Sequence, residues 1–375
     1  MKIVLIAKQN IEKTYSGATR TVYEQIKYFK GLGHEVHVVG ELINKKDLEK
    51  SGAIAHKTHR WFWQKKFKRR LQFSKAAQAL AKNLSADLVI GHGDLQYQDI
   101  FLLHNSVHLA EEKINGKKLD SSTEMYQIHT PILKNQQFKK IIANSEIMKN
   151  DLIARFDIPE SKISVIYPAV DTESFKNFSL EKKHALKKSF NFSEDEYLVG
   201  LVTSGNFKKR GVDRFFKAID LLDEKLALKT NFILVGKDKL SPYMQELLDK
   251  NKYKSRIHIL PVISNVDDYF NALDIFVLPA RIEEFGRVVA EAMSCGCPVI
   301  TTKWVGASEL LDSESKEFVF EGEDVSEFAS LMSRLLDDSK LKQTIGELNS
   351  KSVIKGSEQE MFKKFDIVFS EFLES

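Results

Sequence analysis

Two carboxylates, Glu283 and Glu291, stand with seven residues between them in the stretch Arg281-Ile-Glu-Glu-Phe-Gly-Arg-Val-Val-Ala-Glu-Ala-Met-Ser-Cys-Gly-Cys-Pro-Val-Ile-Thr301. An ionised carboxylate only accepts hydrogen bonds, and it offers two oxygens to do so, which suits the hydroxyl pairs of a sugar or ribose. Two carboxylates about 5 Å apart would instead suit a retaining glycosidase. A second group, Ser204-Gly-Asn-Phe-Lys-Lys-Arg-Gly211, sets three cations beside glycines between a strand end and a helix start. Such a loop meets a phosphate pair with fixed charge, helix-terminal amides and close backbone approach. The same composition also describes a solvated basic turn. His104-Asn105-Ser106 follows an apolar run, where a histidine either enters a ligand crevice or is hydrogen-bonded structurally. Gly17 opens a helical stretch with Arg20 one turn in; it either admits an anion or sugar to the backbone or simply makes the turn.

Other chemistries lack their residues. There is no Gly-x4-Gly-Lys-Ser/Thr, no Gly-x-Gly-x-x-Gly and no Gly-x-Ser-x-Gly. No Asp-x-Asp pair offers itself to a divalent metal on a diphosphate, and no His/Cys cluster has zinc spacing. No metal and no cofactor are therefore expected, and phosphate charge has to be met by protein cations. The two cysteines, Cys295 and Cys297, are too close for an unstrained disulfide and read as structural thiols of a reducing, cytoplasmic protein. Met1-Lys-Ile-Val-Leu-Ile-Ala7 goes straight into a strand, without a signal region. No apolar run approaches the ~18 residues that cross a bilayer.

The elements that must position these groups alternate strand and helix. Lys2–Ala7, Val36–Val39, Asp87–Ile90, Ile100–Leu103 and Lys140–Ala143 are aliphatic runs of strand length. The series restarts with 197–203, and Phe232–Val235, Ile257–Leu260 and Ile275–Leu278 follow, each preceded by a helical stretch. That pattern in both halves of 375 residues predicts an α/β chain of two doubly wound domains. Residues 1–168, joined by about 357–375, are expected as the first domain, 169–195 as a linker and 196–356 as the second. Residues 108–140 read as polar and irregular, a mobile loop or helix pair. The C-terminal helix, 361–373, places Phe362, Phe365, Val368, Phe369 and Phe372 at helical spacing and must pack on something.

The formal net charge of +4 hides an asymmetry: residues 1–165 carry 27 Lys and Arg against 17 Asp and Glu, and the remainder 29 against 35. A basic first half faces an anionic partner. Residues 57–75 hold Lys57, Arg60, Lys65, Lys66, Lys68, Arg69, Arg70 and Lys75 with Trp61, Phe62, Trp63, Phe67 and Phe73 interleaved. This composition fits either an anionic membrane surface or a helix with buried rings and solvated charges. Single-stranded nucleic acid would suit it too, on no other support, and no nucleic-acid partner is expected.

At Glu283-Glu-Phe-Gly-x4-Glu291 the chain resembles the retaining GT-B glycosyltransferases of family four. Ile163-Ser-Val-Ile-Tyr-Pro-Ala-Val-Asp171 resembles their interdomain exit strand, and Lys209-Arg-Gly-Val-Asp213 their diphosphate loop. Ala292-Met-Ser-Cys-Gly-Cys-Pro-Val-Ile300 is their usual continuation. Ser16-Gly-Ala-Thr-Arg20 and Lys209-Arg-Gly-Val-Asp-Arg214 look most like the group that glucosylates an inner-core heptose of lipopolysaccharide.

The resemblance implies two Rossmann-like domains facing across a cleft, with the C-terminal helix returning to the first. It implies metal-independent, retaining transfer of a hexose from a UDP-linked donor to a lipopolysaccharide core or similar phosphorylated glycolipid, on the inner membrane face. Other acceptors, or a binding protein that has kept the fold, are the alternatives. By position, Glu291 would hold the donor ribose, and Glu283 the sugar hydroxyls. Amides of Phe285, Gly286 and Arg287 would cradle sugar and diphosphate, and Lys209 and Arg210 would take the departing diphosphate's charge. Gly17, Arg20 and Asn206 would lie along the donor, Val262 beside the base, and His104 near the anomeric carbon or acceptor. Asn206 stands where many relatives have arginine, and Pro261-Val-Ile263 lacks their common glycine.

Overall fold

The computed structural model describes residues 2–11, 17–60, 63, 65–263 and 265–373. The chain forms two compact units, Met1–Ala169 with Met361–Ser375, and Val170–Glu360. The strands of the first are β1 (Ile3–Ala7), β2 (Asn10–Ile11), β3 (Glu35–Gly40), β4 (Leu42–Ile43), β5 (Ile54–Lys57), β6 (Leu88–Gly91), β7 (Gln98–Leu103), β8 (Phe138–Ala143) and β9 (Ile163–Val165). Seven make one sheet in the order β5-β3-β1-β6-β7-β8-β9, and β2 pairs with β4 in a separate ribbon. All these pairings are parallel.

A parallel sheet is covered on both faces, which is why its strands are continuous apolar runs. Strand β1 shows this directly. Val4 and Ile6 face a core shared with Phe29 and the C-terminal helix, whereas Leu5 and Ala7 face Phe73 and Ala77. The helix Glu358–Leu373 buries Phe365 and Phe369 against the helix Gly17–Gly31. The Phe369 ring lies tilted against Phe29 with centroids 4.9 Å apart, and the Tyr28 hydroxyl donates to Asp366 at 2.7 Å. That carboxylate and burial together push the Tyr28 phenol well above its ordinary range.

The second unit holds β10 (Tyr197–Val202), β11 (Thr230–Val235), β12 (Ile257–Leu260), β13 (Ile275–Leu278), β14 (Val299–Thr302) and β15 (Val319–Phe320). These lie parallel in the order β12-β11-β10-β13-β14-β15. The order reverses between β10 and β13, as it does between β1 and β6 in the first unit. Connections leave a doubly wound sheet in opposite directions at that point, so the loops after β10 and β13 open a crevice at their carboxyl ends.

Of the two readings of residues 108–140, the helix pair is the one found: helices Val107–Asn115 and Glu124–Lys134, the second capped by the Thr123 hydroxyl on the Tyr126 amide. Within the polar stretch 176–195 lies the helix Leu180–Ser189, fixed to the second unit by Lys187, whose ammonium lies 2.5 Å from the largely enclosed Asp274 carboxylate. Lys342 meets the other oxygen of Asp274 at 2.8 Å. Burial by itself would raise that carboxyl, and the two ammoniums hold it below its ordinary value.

The 57–75 stretch is divided. Trp61 and Phe62 lie outside the described residues. The helix Lys66–Asn83 buries Phe73 and turns two of the basic residues inward, Arg69 to Glu41 at 3.5 Å and Arg70 to Asp94 at 3.4 Å. Lys65, Lys66, Lys68 and Lys75 stay exposed, as does Trp63. Hence residues 66–75 belong to a packed helix with a cationic outer face.

Candidate active site

The second unit brings the cationic loop and the acidic loop together at the sheet's switch point. After β10, Asn206 takes a left-handed backbone (φ 56°), its amide donates to the Asp238 carboxylate, and its side-chain oxygen accepts from the Lys209 amide at 3.2 Å. This caps a short helix, Phe207–Arg210. Gly211 follows with φ +73°, and a Cβ there would stand 2.0 Å from the Pro279 carbonyl oxygen. Only glycine permits this approach of the cationic loop to the end of β13.

The acidic loop, 279–286, is held by backbone bonds to the segment after β14. The Glu283 amide donates to the Trp304 carbonyl at 2.8 Å, Gly306 donates to the Glu283 carbonyl at 3.0 Å, and Ala307 to the Phe285 carbonyl at 2.7 Å. Ile282 and Phe285 are buried and anchor the loop. Gly286, with φ +90°, starts the helix Arg287–Ser294, whose first-turn amides carry the helix's positive end. Glu291 lies one turn in and is buried.

The side chains then meet. Lys209 Nζ lies 2.6 Å from Glu284 Oε2 and 3.7 Å from Glu283 Oε2, and the Arg210 guanidinium pairs with Glu283. All four are largely enclosed. Beneath them Arg281 clamps the two loops: its guanidinium reaches both oxygens of Asp213, at 2.8 and 2.7 Å, and the Lys208 carbonyl at 2.7 Å. The Arg281 amide donates to the Lys209 carbonyl at 2.9 Å. Burial would raise the Asp213 carboxyl, but Arg281 reverses the effect and holds it below its ordinary value. Arg214 adds a bond to the Pro279 carbonyl at 3.2 Å.

Of the residues the sequence singles out, Lys209, Arg210, Glu283, Phe285, Gly286 and Arg287 thus share one loop cluster, with Glu291 in the helix behind it. Val262 lies just beyond β12 and is exposed. Sequence reasoning missed Glu284 and the Arg281–Asp213 clamp. Asp213 was visible as the end of the Lys209-to-Asp213 motif, but its partner is 68 residues away and no local signal joins them.

His104, Gly17 and Arg20 belong to the first unit. Gly17 begins the helix Gly17–Gly31, and Arg20 lies in its first turn. His104 follows β7, and its Nε2 is 2.8 Å from His92 Nδ1; His92 Nε2 is 2.9 Å from Gln25 Oε1. Burial drives His92 well below its ordinary pKa, with His104 and Lys8 adding to the shift, so it is neutral at pH 7. A neutral His92 that donates to Gln25 from Nε2 must accept from His104 at Nδ1. Nearby, Gln9 is held by Glu41 (Nε2 to Oε2, 2.9 Å) and by Asp94 (amide to Oδ2, 2.8 Å). The carboxyl edge of this sheet is therefore polar, and Arg69 and Arg70 pair there with Glu41 and Asp94. Among the described residues no group of His, Cys, Asp and Glu could hold a metal ion, and no helix is long and apolar enough to cross a membrane.

Residues 15–174 match the family described as Glycosyltransferase Family 4, and residues 199–338 match Glycosyl transferases group 1. The capsular polysaccharide biosynthesis glycosyltransferase CapM of Staphylococcus aureus is 25% identical over 240 residues, 62% of either chain. The lipopolysaccharide glucosyltransferase WaaG of Escherichia coli K12 is 21% identical over 271 residues, 71% of this chain and 72% of its own. The chain spans less than two thirds of the length of several curated relatives it matches, CapM among them. A crystal structure of WaaG superposes with a TM-score of 0.78 at 19% identity, covering 97% of this chain and 99% of its own. That of Anabaena Alr3699/HepE with UDP and glucose gives 0.77 at 17%, covering 99% and 100%. The fold is the GT-B fold of these structures, and the Glycosyltransferase Family 4 match precedes the Glycosyl transferases group 1 match along the chain.

Proposed function

We propose that this chain moves a hexose, glucose first among candidates, from a UDP-linked donor to a hydroxyl of a phosphorylated glycolipid such as a lipopolysaccharide core, with retention and without a metal. The observation that carries the reading is the pairing of Lys209 and Arg210 with Glu283 and Glu284 at the switch point of the second sheet. Such a cluster offers cations to a diphosphate and acceptors to sugar hydroxyls in one enclosed place. The WaaG glucosyltransferase and the UDP- and glucose-bound HepE support the choice of donor.

In this reading the donor's diphosphate lies against Lys209, Arg210 and the first-turn amides of the helix Arg287–Ser294. Glu283 orients the hexose, and Glu291 accepts from the ribose. Negative charge grows on the diphosphate as the glycosidic bond breaks, and fixed cations in a water-poor site stabilise it most where it is greatest. The leaving diphosphate takes the proton of the attacking hydroxyl on the same face, so no protein nucleophile is invoked. Gly17 and Arg20 border the donor, and His104 serves the acceptor hydroxyl. The exposed lysines and Trp63 of the first unit would rest on an anionic inner-membrane surface. The place of action would then be the cytoplasmic side.

A donor screen tests this. Protein incubated with UDP-glucose should release UDP, and do so faster with a core glycolipid present; GDP- and ADP-linked sugars should be poor. Glu283→Ala with an unchanged unfolding midpoint should slow release by about a hundredfold or more. Undiminished release would remove the loop cluster from the active site.

A further inference from the structure

Glu284 carries an inference of its own. The seven-residue spacing selects Glu283 and Glu291, yet it is Glu284 whose carboxylate lies closest to Lys209, 2.6 Å against 3.7 Å for Glu283. Its side chain is 6% exposed, and no backbone requirement places an acid there: Phe285 and Gly286 beside it make the turn and the plug. Lys209, Arg210, Glu283 and Glu284 sum to zero charge. A site whose task is to hold a diphosphate would ordinarily keep a cationic surplus, so the second carboxylate works against the ligand.

We propose that Glu284 is an internal competitor for Lys209, an affinity-setting residue that holds nucleoside diphosphate binding down and reclaims the ammonium when the diphosphate leaves. This rests on the reading of Lys209 as a diphosphate ligand. An ammonium has three donors and one charge. Any phosphate oxygen that binds Nζ must share it with Glu284 or displace Glu284, and in either case two anions stand close together in a poorly screened site. Glu283 is different, because it also pairs with Arg210 and is spoken for by the sugar. The enclosure that fixes Lys209 toward Glu284 thus works against tight product retention.

The test measures UDP and inorganic pyrophosphate binding by calorimetry to the full chain, wild type, Glu284→Gln and Glu284→Ala, with urea midpoints beside them. The proposal expects both variants to bind both probes more tightly, on the order of tenfold, as removal of one like-charge contact allows. A gain of affinity is not something a damaged fold produces. Unchanged affinity in both variants overturns it. So does weaker binding in Glu284→Ala with wild-type binding in Glu284→Gln, which would make Glu284 a positioning residue for Lys209. If the wild type and variants ignore UDP while pyrophosphate binding tightens in the variants, the competition stands and the nucleotide-sugar reading fails.

Discussion

The Arg281–Asp213 clamp should be one of the stronger single links in the second unit, and its worth can be worked from the geometry. Arg281 makes two charge-assisted hydrogen bonds to Asp213 and one to the Lys208 carbonyl. The Asp213 side chain is 7% exposed and that of Arg281 18%, so removal of either strands a largely desolvated charge. Breaking a buried pair from one side costs about 3–5 kcal/mol. Arg281→Ala should fall at the lower end, about 3 kcal/mol, because Arg214 remains near the Asp213 carboxylate. Asp213→Ala should cost less, about 2 kcal/mol, since Arg281 keeps the Lys208 carbonyl and some access to water. The double variant should lose about 3 kcal/mol rather than the sum, a coupling of about 2 kcal/mol.

Urea unfolding of the four proteins at one pH supplies the numbers. Acid titration adds a check of sign. A carboxyl held below its ordinary value contributes stability above the unfolded-state pKa and loses it as pH falls through the folded one, so Arg281→Ala should flatten that acid limb. Single losses that add to within 0.5 kcal/mol would refute the reasoning.

Other expectations can be checked alongside. Gly211→Ala sets a Cβ 2.0 Å from the Pro279 oxygen at φ +73° and should cost about 3 kcal/mol, whereas Gly33→Ala, with φ +77° and nothing within 4 Å, should cost about 1 kcal/mol. Equal losses would discount the close approach. His129 is pushed down to about 4, chiefly by burial and then by Arg70, so the unfolded chain binds its proton first. Stability should therefore decline as pH falls from about 6.5 to 4, by on the order of 3 kcal/mol from this group, and a His129→Gln variant should show a shallower decline. Phe369→Ala should cost about 3–5 kcal/mol by leaving a void against Phe29 and Phe365, with a lowered thermal midpoint as the readout. An unshifted midpoint would mean that the C-terminal helix adds little to the first unit.

Much of the architecture was legible because a parallel sheet writes itself into the chain. Strands buried on both faces are apolar throughout, and the runs at 197–202, 232–235 and 275–278 needed no tertiary information to be found. Short or half-exposed elements were not legible. Strand β5 lies at the sheet edge, where one side needs no apolar cover, and the β2–β4 ribbon is two residues per strand. The basic stretch at 57–75 misled in part for a related reason: composition counts arginines but does not say which turn inward. Only the helix phase, set by burying Phe73, sends Arg69 and Arg70 toward Glu41 and Asp94.

The site divides along the same line. By itself the chain determined that Glu283, Glu291, Lys209 and Arg210 would stand near strand ends, since glycine placement and apolar runs fix where loops and helices begin. It also led to the expectation that a phosphate ligand would be met by protein cations, since the sequence has no Asp-x-Asp pair. Only the tertiary structure decided that Glu284 takes the Lys209 ammonium and that Arg281 ties the two loops through Asp213. Those pairings join residues 68 to 75 positions apart, and a charge's partner depends on which loops a reversed strand order sets side by side.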